Sequence, residues 1–177
     1  TPGKGETFEG DKFAILQYNI ESVDGTISAT TDKKIAQQIG KYDKSYYYGN
    51  VVWAAYKGNL TAGVLDVLKG MKIGGTRRAL IPSWLFTYSS YKNPGEYYKK
   101  AVDNSSAAIY TITLNGLSSD ILKTQVDSME IYTHKHLDGV DSTSYGFYYK
   151  QLAAPSDTTA FPSDTSIYIN YTGRLLN

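Results

Sequence analysis

The 177-residue chain has no cysteine, which excludes a disulfide framework, a thiolate nucleophile and any zinc site built on sulfur. Charge of one sign is also missing. Eighteen lysine and arginine residues against 17 aspartate and glutamate leave a net +1, and that balance favours neither nucleic acid nor an anionic membrane as a partner. No apolar run is long enough to span a bilayer, and the N-terminus lacks the pattern of a signal peptide. His134 and His136 with Asp138 and Asp141 are the one grouping of metal-ligand residue types, at a helix end, but their spacing fits no zinc template. Gly3-x-Gly5 has no preceding strand to make it a phosphate loop, and nothing resembles a Ser-His-Asp or Cys-His signature. We expect no metal, no cofactor and no covalent chemistry.

What is there is ordinary in bulk. Hydrophobic residues at 41% and charged residues at 20% fit one domain, or a little more, with a sizeable core. Tyrosine is in excess at 17 residues, with runs at Tyr46-Tyr47-Tyr48 and Tyr97-Tyr98. Such residues either pack half-buried in strands and loops or form an aromatic rim facing a ligand.

Along the chain, Thr1–Gly10 reads as a glycine-rich lead-in loop. Phe13–Ile20 is a β-rich run closed by the turn signal Asp24-Gly25, and Ile27–Thr31 is a short returning strand. Asp32–Gly40 has helical spacing in Ile35, Ala36 and Ile39, and Val51–Tyr56 is an apolar strand. Val64, Val67, Leu68 and Met71 fall at i, i+3, i+4 and i+7, one stripe on a short helix that Gly74-Gly75 ends. Thr76–Ile81 is a strand stopped by Pro82. On it, Arg77 and Arg78 point to opposite faces. The connection from Ser83 to Ser106 is too long to be passive and reads as a flap. After Leu117, Ser118-Ser119-Asp120 opens a helix carrying Leu122, Val126 and Met129.

The wording of Gly70-Met71-Lys72-Ile73-Gly74-Gly75-Thr76-Arg77-Arg78-Ala79-Leu80-Ile81-Pro82 resembles the segment after the pocket helix in FKBP-type (macrolide-binding) peptidyl-prolyl cis-trans isomerases. Asp11–Gly25 resembles that family's second strand and Ala108–Leu114 its last strand, so the resemblance covers residues 1–117 in the family's order. It implies an α+β, FKBP-like fold, a twisted antiparallel sheet wrapped on a short helix. It also implies an activity on X-Pro bonds of polypeptides that needs no cofactor. The chemistry is simple to state. Amide resonance makes X-Pro isomerisation slow. The twisted transition state is less dipolar than either planar isomer, so an apolar, water-poor pocket that grips proline favours it.

Carried over residue by residue, the resemblance places substrate-binding positions at Tyr18, Ser28, Ala29, Val51, Leu60, Thr61, Val64, Tyr88, Val102 and Tyr110. Several depart from the family. Ser28-Ala29 stands where the family has an aromatic-Asp pair, Val64 replaces the tryptophan floor, and Val51 replaces an aromatic wall. Tyr18, Val102 and Tyr110 keep the family's residue types, and Trp84 or Phe86 is placed to refill the gap. Two readings follow: an isomerase with a degenerate pocket and weak turnover, or a non-catalytic module that binds polypeptide, acts as a chaperone or scaffolds its neighbours.

An internal repeat lies at an offset of 153 residues. Asp164-Thr165-Ser166-Ile167-Tyr168-Ile169-Asn170-Tyr171 aligns with Asp11-Lys12-Phe13-Ala14-Ile15-Leu16-Gln17-Tyr18. The organisation read from it is an FKBP-like domain at 1–117 lacking its first strand, a helical linker at 118–144, and the first strands of an incomplete second FKBP-like unit at 145–177. Tandem units joined by a helix and free of cysteine resemble secreted or lipid-anchored bacterial FKBP proteins, which implies an extracytoplasmic location. By the same offset, Tyr145–Leu152 is the second unit's first strand. We expect it to add to the edge at 76–81, from the same chain or by strand exchange with a neighbouring one.

Overall fold

The computed structural model describes residues 1–56, 58–86, 93–100, 107–137, 139–142, 146–154, 156 and 159–173. They divide into two units, Thr1–Ile121 and Leu122–Leu176.

The first unit is the expected α+β arrangement, an antiparallel sheet wrapped on a short helix. Its central strand is β1 (Lys12–Ser22), in which buried and half-buried positions alternate over Ala14 and Leu16. Along one side β1 pairs over its whole length with β5 (Ala108–Ser118). Along the other it pairs first with β3 (Val51–Ala55), then with β2 (Ile27–Thr30). The far edge is β4 (Gly75–Ile81), paired to β5. Where Ile15 faces Gly116 and Leu16 faces Leu114, Asn115 is left over as a bulge. Its side chain donates to Asn50 at 2.7 Å, giving the unmatched residue a partner. Between β2 and β3, α1 (Lys33–Gln38) starts at Asp32, whose Oδ1 accepts from Lys34 N–H at 2.7 Å and Ile35 N–H at 3.1 Å.

Period two puts Ala14, Leu16, Ile112 and Leu114 on one face of the sheet, all at 0% exposure. Against that face lies α2 (Ala62–Leu68), contributing Val64, Val67 and Leu68. The helix ends earlier than expected. It stops at Leu68, Lys69 leaves helical geometry, and Gly70 takes the left-handed turn at φ +72°. Met71 is still buried, but beyond the helix, where Phe8 N–H donates to its carbonyl at 2.8 Å. On β4, Arg77 and Arg78 do point to opposite faces. Arg77 donates to the carbonyls of Val67 at 2.6 Å and Lys69 at 2.9 Å, closing the C-terminal end of α2 with a positive charge. Arg78 reaches Glu21 at 2.8 Å on the other face.

The N-terminal stretch is more than a lead-in loop. Phe8 is 1% exposed and belongs to the core. Glu6 accepts from Ile73 N–H at 2.9 Å, and Thr1 and Thr76 exchange both backbone bonds, at 2.8 and 2.9 Å. Gly3 explains the glycines that mimic a loop signal, since a Cβ there would run into the carbonyls of Lys72 and Ile73. The chain passes too close for any side chain.

The connection after Pro82 holds a 3-10 turn, Ser83–Phe86, and α3 (Pro94–Lys100). The centre of the expected flap lies outside the described residues. In the second unit, α4 (Ile121–His136) leads to β6 (Asp141–Ser142), which pairs with β7 (Tyr148–Tyr149). This corrects the same-chain form of the expectation for Tyr145–Leu152, because Tyr148 and Tyr149 pair with Ser142 and Asp141. A nearby partner costs less closure entropy than a distant edge. The described residues from 159 to 173 contain no strand. Among the described residues no three metal-ligating side chains cluster; His136 stacks on Tyr132 at 4.5 Å, and Asp138 lies outside them. No described helix is long and apolar enough to cross a membrane.

Candidate functional site

The inner face of the sheet collects most of the residues singled out from the sequence. Tyr18 follows Leu16 on that face of β1, and Tyr110 sits beside it on β5, opposite Ile20. Val51 and Trp53 come from β3, opposite Leu16 and Ala14. Leu60 precedes α2, and Val64 projects from the helix's first turn. All six belong to one apolar assembly, with Val64 buried at 5% exposure and the other five half-buried around it.

Two aromatic pairs wall this assembly. The Tyr18 and Trp53 rings lie 4.9 Å apart at 40°. Phe86, from the 3-10 turn, lies 5.7 Å from Tyr110 at 32°. Both are within the range where ring pairs add stabilisation beyond their buried area. Phe86 therefore packs against Tyr110 and the core. Trp53 was missed as a site residue, although its place two residues after Val51 on a strand puts both on one face. Burial pushes the Tyr18 hydroxyl above its ordinary pKa, and Tyr46 adds to the shift.

Thr61 is the polar member. It is the N-cap of α2, in extended geometry at φ −62° and ψ 150°, yet makes no capping bond. Its Oγ1 is buried and, among the described residues, has no hydrogen-bond partner. An orphaned buried hydroxyl costs about 1–3 kcal/mol.

Ala29 pairs with Ile20, which on its other side faces Tyr110. Ser28 and Ala29 line a cavity of about 320 Å³ together with residues that include Ile39, Lys41, Asp43, Tyr46 and Tyr48. Ser28 donates to the Ile20 carbonyl at 3.2 Å. The tyrosine run serves packing here. Tyr48 stacks on Tyr42 at 5.6 Å and meets Tyr46 edge-on at 5.1 Å, while Asp43 N–H donates to the Tyr48 hydroxyl at 3.0 Å. Tyr42, Tyr46 and Tyr47 keep large exposed faces. Tyr88 and Val102 lie outside the described residues.

No family model matches the chain, and no curated protein matches it. Solved structures similar to it include FkpA from Escherichia coli, 18% identical, over 67% of this chain and 46% of that one, with a TM-score of 0.44. A peptidyl-prolyl cis-trans isomerase from Pseudomonas syringae pv. tomato is 19% identical, over 67% of this chain and 71% of that one, with a TM-score of 0.44. The aligned part of this chain thus spans less than half the length of FkpA.

Proposed function

We propose that the first unit is an FKBP-type module that binds proline-containing segments of polypeptides and turns them over weakly. The observation that carries this reading is the apolar assembly that gathers Tyr18, Trp53, Leu60, Val64, Phe86 and Tyr110, with Thr61 next to Leu60 in sequence and its buried hydroxyl without a partner among the described residues. Aromatic walls and an aliphatic floor suit a pyrrolidine ring, and a single polar group suits one peptide carbonyl. The resemblance over residues 1–117 supports the same ligand class, and the tandem arrangement free of cysteine supports an extracytoplasmic location. Weak turnover follows from what is missing. Ala29 has no carboxylate to orient the peptide. Val64 leaves a smaller wall than tryptophan, a loss on the order of 2–3 kcal/mol of apolar contact, each 1.4 kcal/mol being tenfold in rate. Macrolides, which fill this pocket in the family, should bind weakly or not at all. The second reading, a non-catalytic peptide-binding or chaperone module, is favoured by the filled floor, since Val64 is already core.

The test is line-shape or exchange NMR on a short X-Pro peptide with the chain added. We expect saturable shifts at Tyr18 and Tyr110 with isomerisation only slightly faster than the uncatalysed rate. Thr61→Val should leave the fold as stable or more stable, because it removes the orphaned hydroxyl, and should weaken peptide binding. Turnover as fast as that of a well-formed isomerase would reject the degenerate pocket. No peptide binding would reject the reading as a whole.

A further inference from the structure

We propose that the cavity beside Ala29 is the second half of one peptide cleft in the first unit, and that the Tyr46 hydroxyl binds there a backbone carbonyl flanking the proline. This rests on the peptide-binding reading above and adds to it a residue from outside the sheet. Position comes first. Ala29 of β2 lies opposite Ile20, and Ile20 lies opposite Tyr110. Opposed residues share a face, so Ala29 extends the row that holds Tyr18 and Tyr110. The cavity is walled by Ala36 and Ile39 from α1 and its C-terminal end, and by Tyr46 and Tyr48. Thr31 ties this wall to Tyr18. Its N–H donates to the Tyr18 carbonyl at 3.0 Å, its Oγ1 accepts from Tyr18 N–H at 2.9 Å, and its carbonyl accepts from Gly49 N–H at 2.9 Å.

The chemistry singles out Tyr46. The other polar side chains of the lining are already bonded within the fold. Ser28 donates to the Ile20 carbonyl, Thr30 bonds Asn19, and Lys41 donates to the Ile27 carbonyl at 2.8 Å. Asp43 accepts from Ser45, and the Tyr48 hydroxyl accepts from Asp43 N–H. The Tyr46 hydroxyl makes no such bond to a described residue, and Tyr46 is 48% exposed. Its ring is nonetheless held. Tyr48 meets it edge-on at 5.1 Å, and Tyr46 N–H donates to the Asp43 carbonyl at 3.2 Å. A phenol fixed by its ring and unbonded at its hydroxyl is set up to donate to an incoming carbonyl. Ala29, beside it in the lining, offers no polar group of its own. Tyr46 also acts electrostatically on the Tyr18 hydroxyl, which sets both phenols within reach of one short peptide.

The test uses the whole 177-residue chain and a short blocked Ala-Pro peptide, with binding followed by NMR. Tyr46→Phe should weaken binding about three- to tenfold, the effect of losing one neutral hydrogen bond. Its melting temperature should not change, because the hydroxyl removed has no partner in the fold. Tyr47→Phe, in the same run but not in the cavity lining, should bind as the unaltered chain does. In the unaltered chain the Tyr46 Cζ resonance should move on peptide addition, with the same midpoint as that of Tyr18. Should Tyr46→Phe fail to fold, this resonance still decides. Full affinity in Tyr46→Phe overturns the inference and leaves the peptide-binding reading standing. So does an equal loss in Tyr47→Phe, or a Tyr46 resonance that stays put while that of Tyr18 moves. No binding by the unaltered chain rejects that reading, and this inference with it.

Discussion

Residues 11–18 and 164–171 share one pattern of alternating apolar residues and occupy opposite environments. In the first copy, β5 lies along one side and β3 along the other, and α2 covers the inner face. The second copy has none of these among the described residues, and no strand is present there. The contrast separates propensity from context. An Ile-Tyr-Ile-Asn-Tyr stretch is as β-prone as Ala-Ile-Leu-Gln-Tyr, but a strand satisfies its backbone only through a neighbour. What makes residues 12–22 a strand is therefore written as much at 51–55 and 108–118 as in the residues themselves.

Mutation should expose this difference most strongly in the core row. Leu16→Ala should destabilise the first unit by about 2–5 kcal/mol in chemical denaturation, because the buried side chain leaves a cavity. The aligned change Ile169→Ala should shift the monomer's stability by less than about 0.5 kcal/mol. Equal effects would dissolve the comparison. Next in size is Val64→Trp, which asks whether the floor of the site has room; overpacking should cost about 1–3 kcal/mol. Asp32→Ala, which removes a purely local contact, should cost about 1 kcal/mol in thermal unfolding.

The smallest effect is a pH dependence. Burial, with a smaller contribution from Tyr46, raises the pKa of the Tyr18 hydroxyl above its ordinary value in the folded chain. The folded state then holds this proton where the unfolded state has begun to lose it. Stability falls as pH rises through the ordinary tyrosine range. Tyr18→Phe should flatten that alkaline loss, read as the melting temperature against pH.

Most elements of the sheet were legible because each carries its own periodicity. The Asp24-Gly25 turn, the Val64-Val67-Leu68 stripe and the Pro82 stop each announce a boundary within a few residues. What was not legible depends on distant partners. Phe8 is core because residues 70–76 run alongside it, and Gly3 is glycine because two carbonyls come close. Met71 continues the helical spacing but is buried from outside the helix, so the end of α2 was read one turn late. Tyr18, Val51, Leu60, Val64 and Tyr110 share one apolar assembly. Ser28 and Ala29 line a cavity with Tyr46 and Tyr48, and the packing of that tyrosine-rich segment has no local signature.

The Arg77 guanidinium, which spans from β4 to the last carbonyls of α2, has a mechanical consequence. The helix carries Thr61 and Val64 at one end and is bolted to the sheet at the other. A tethered helix cannot fray from that end while the strand persists, so its amides should exchange with solvent only when β4 and β5 open too. Helix and sheet then form one cooperative block. In Arg77→Ala that block should split, with the amides near Leu68 exchanging early while those of β5 still wait for global opening.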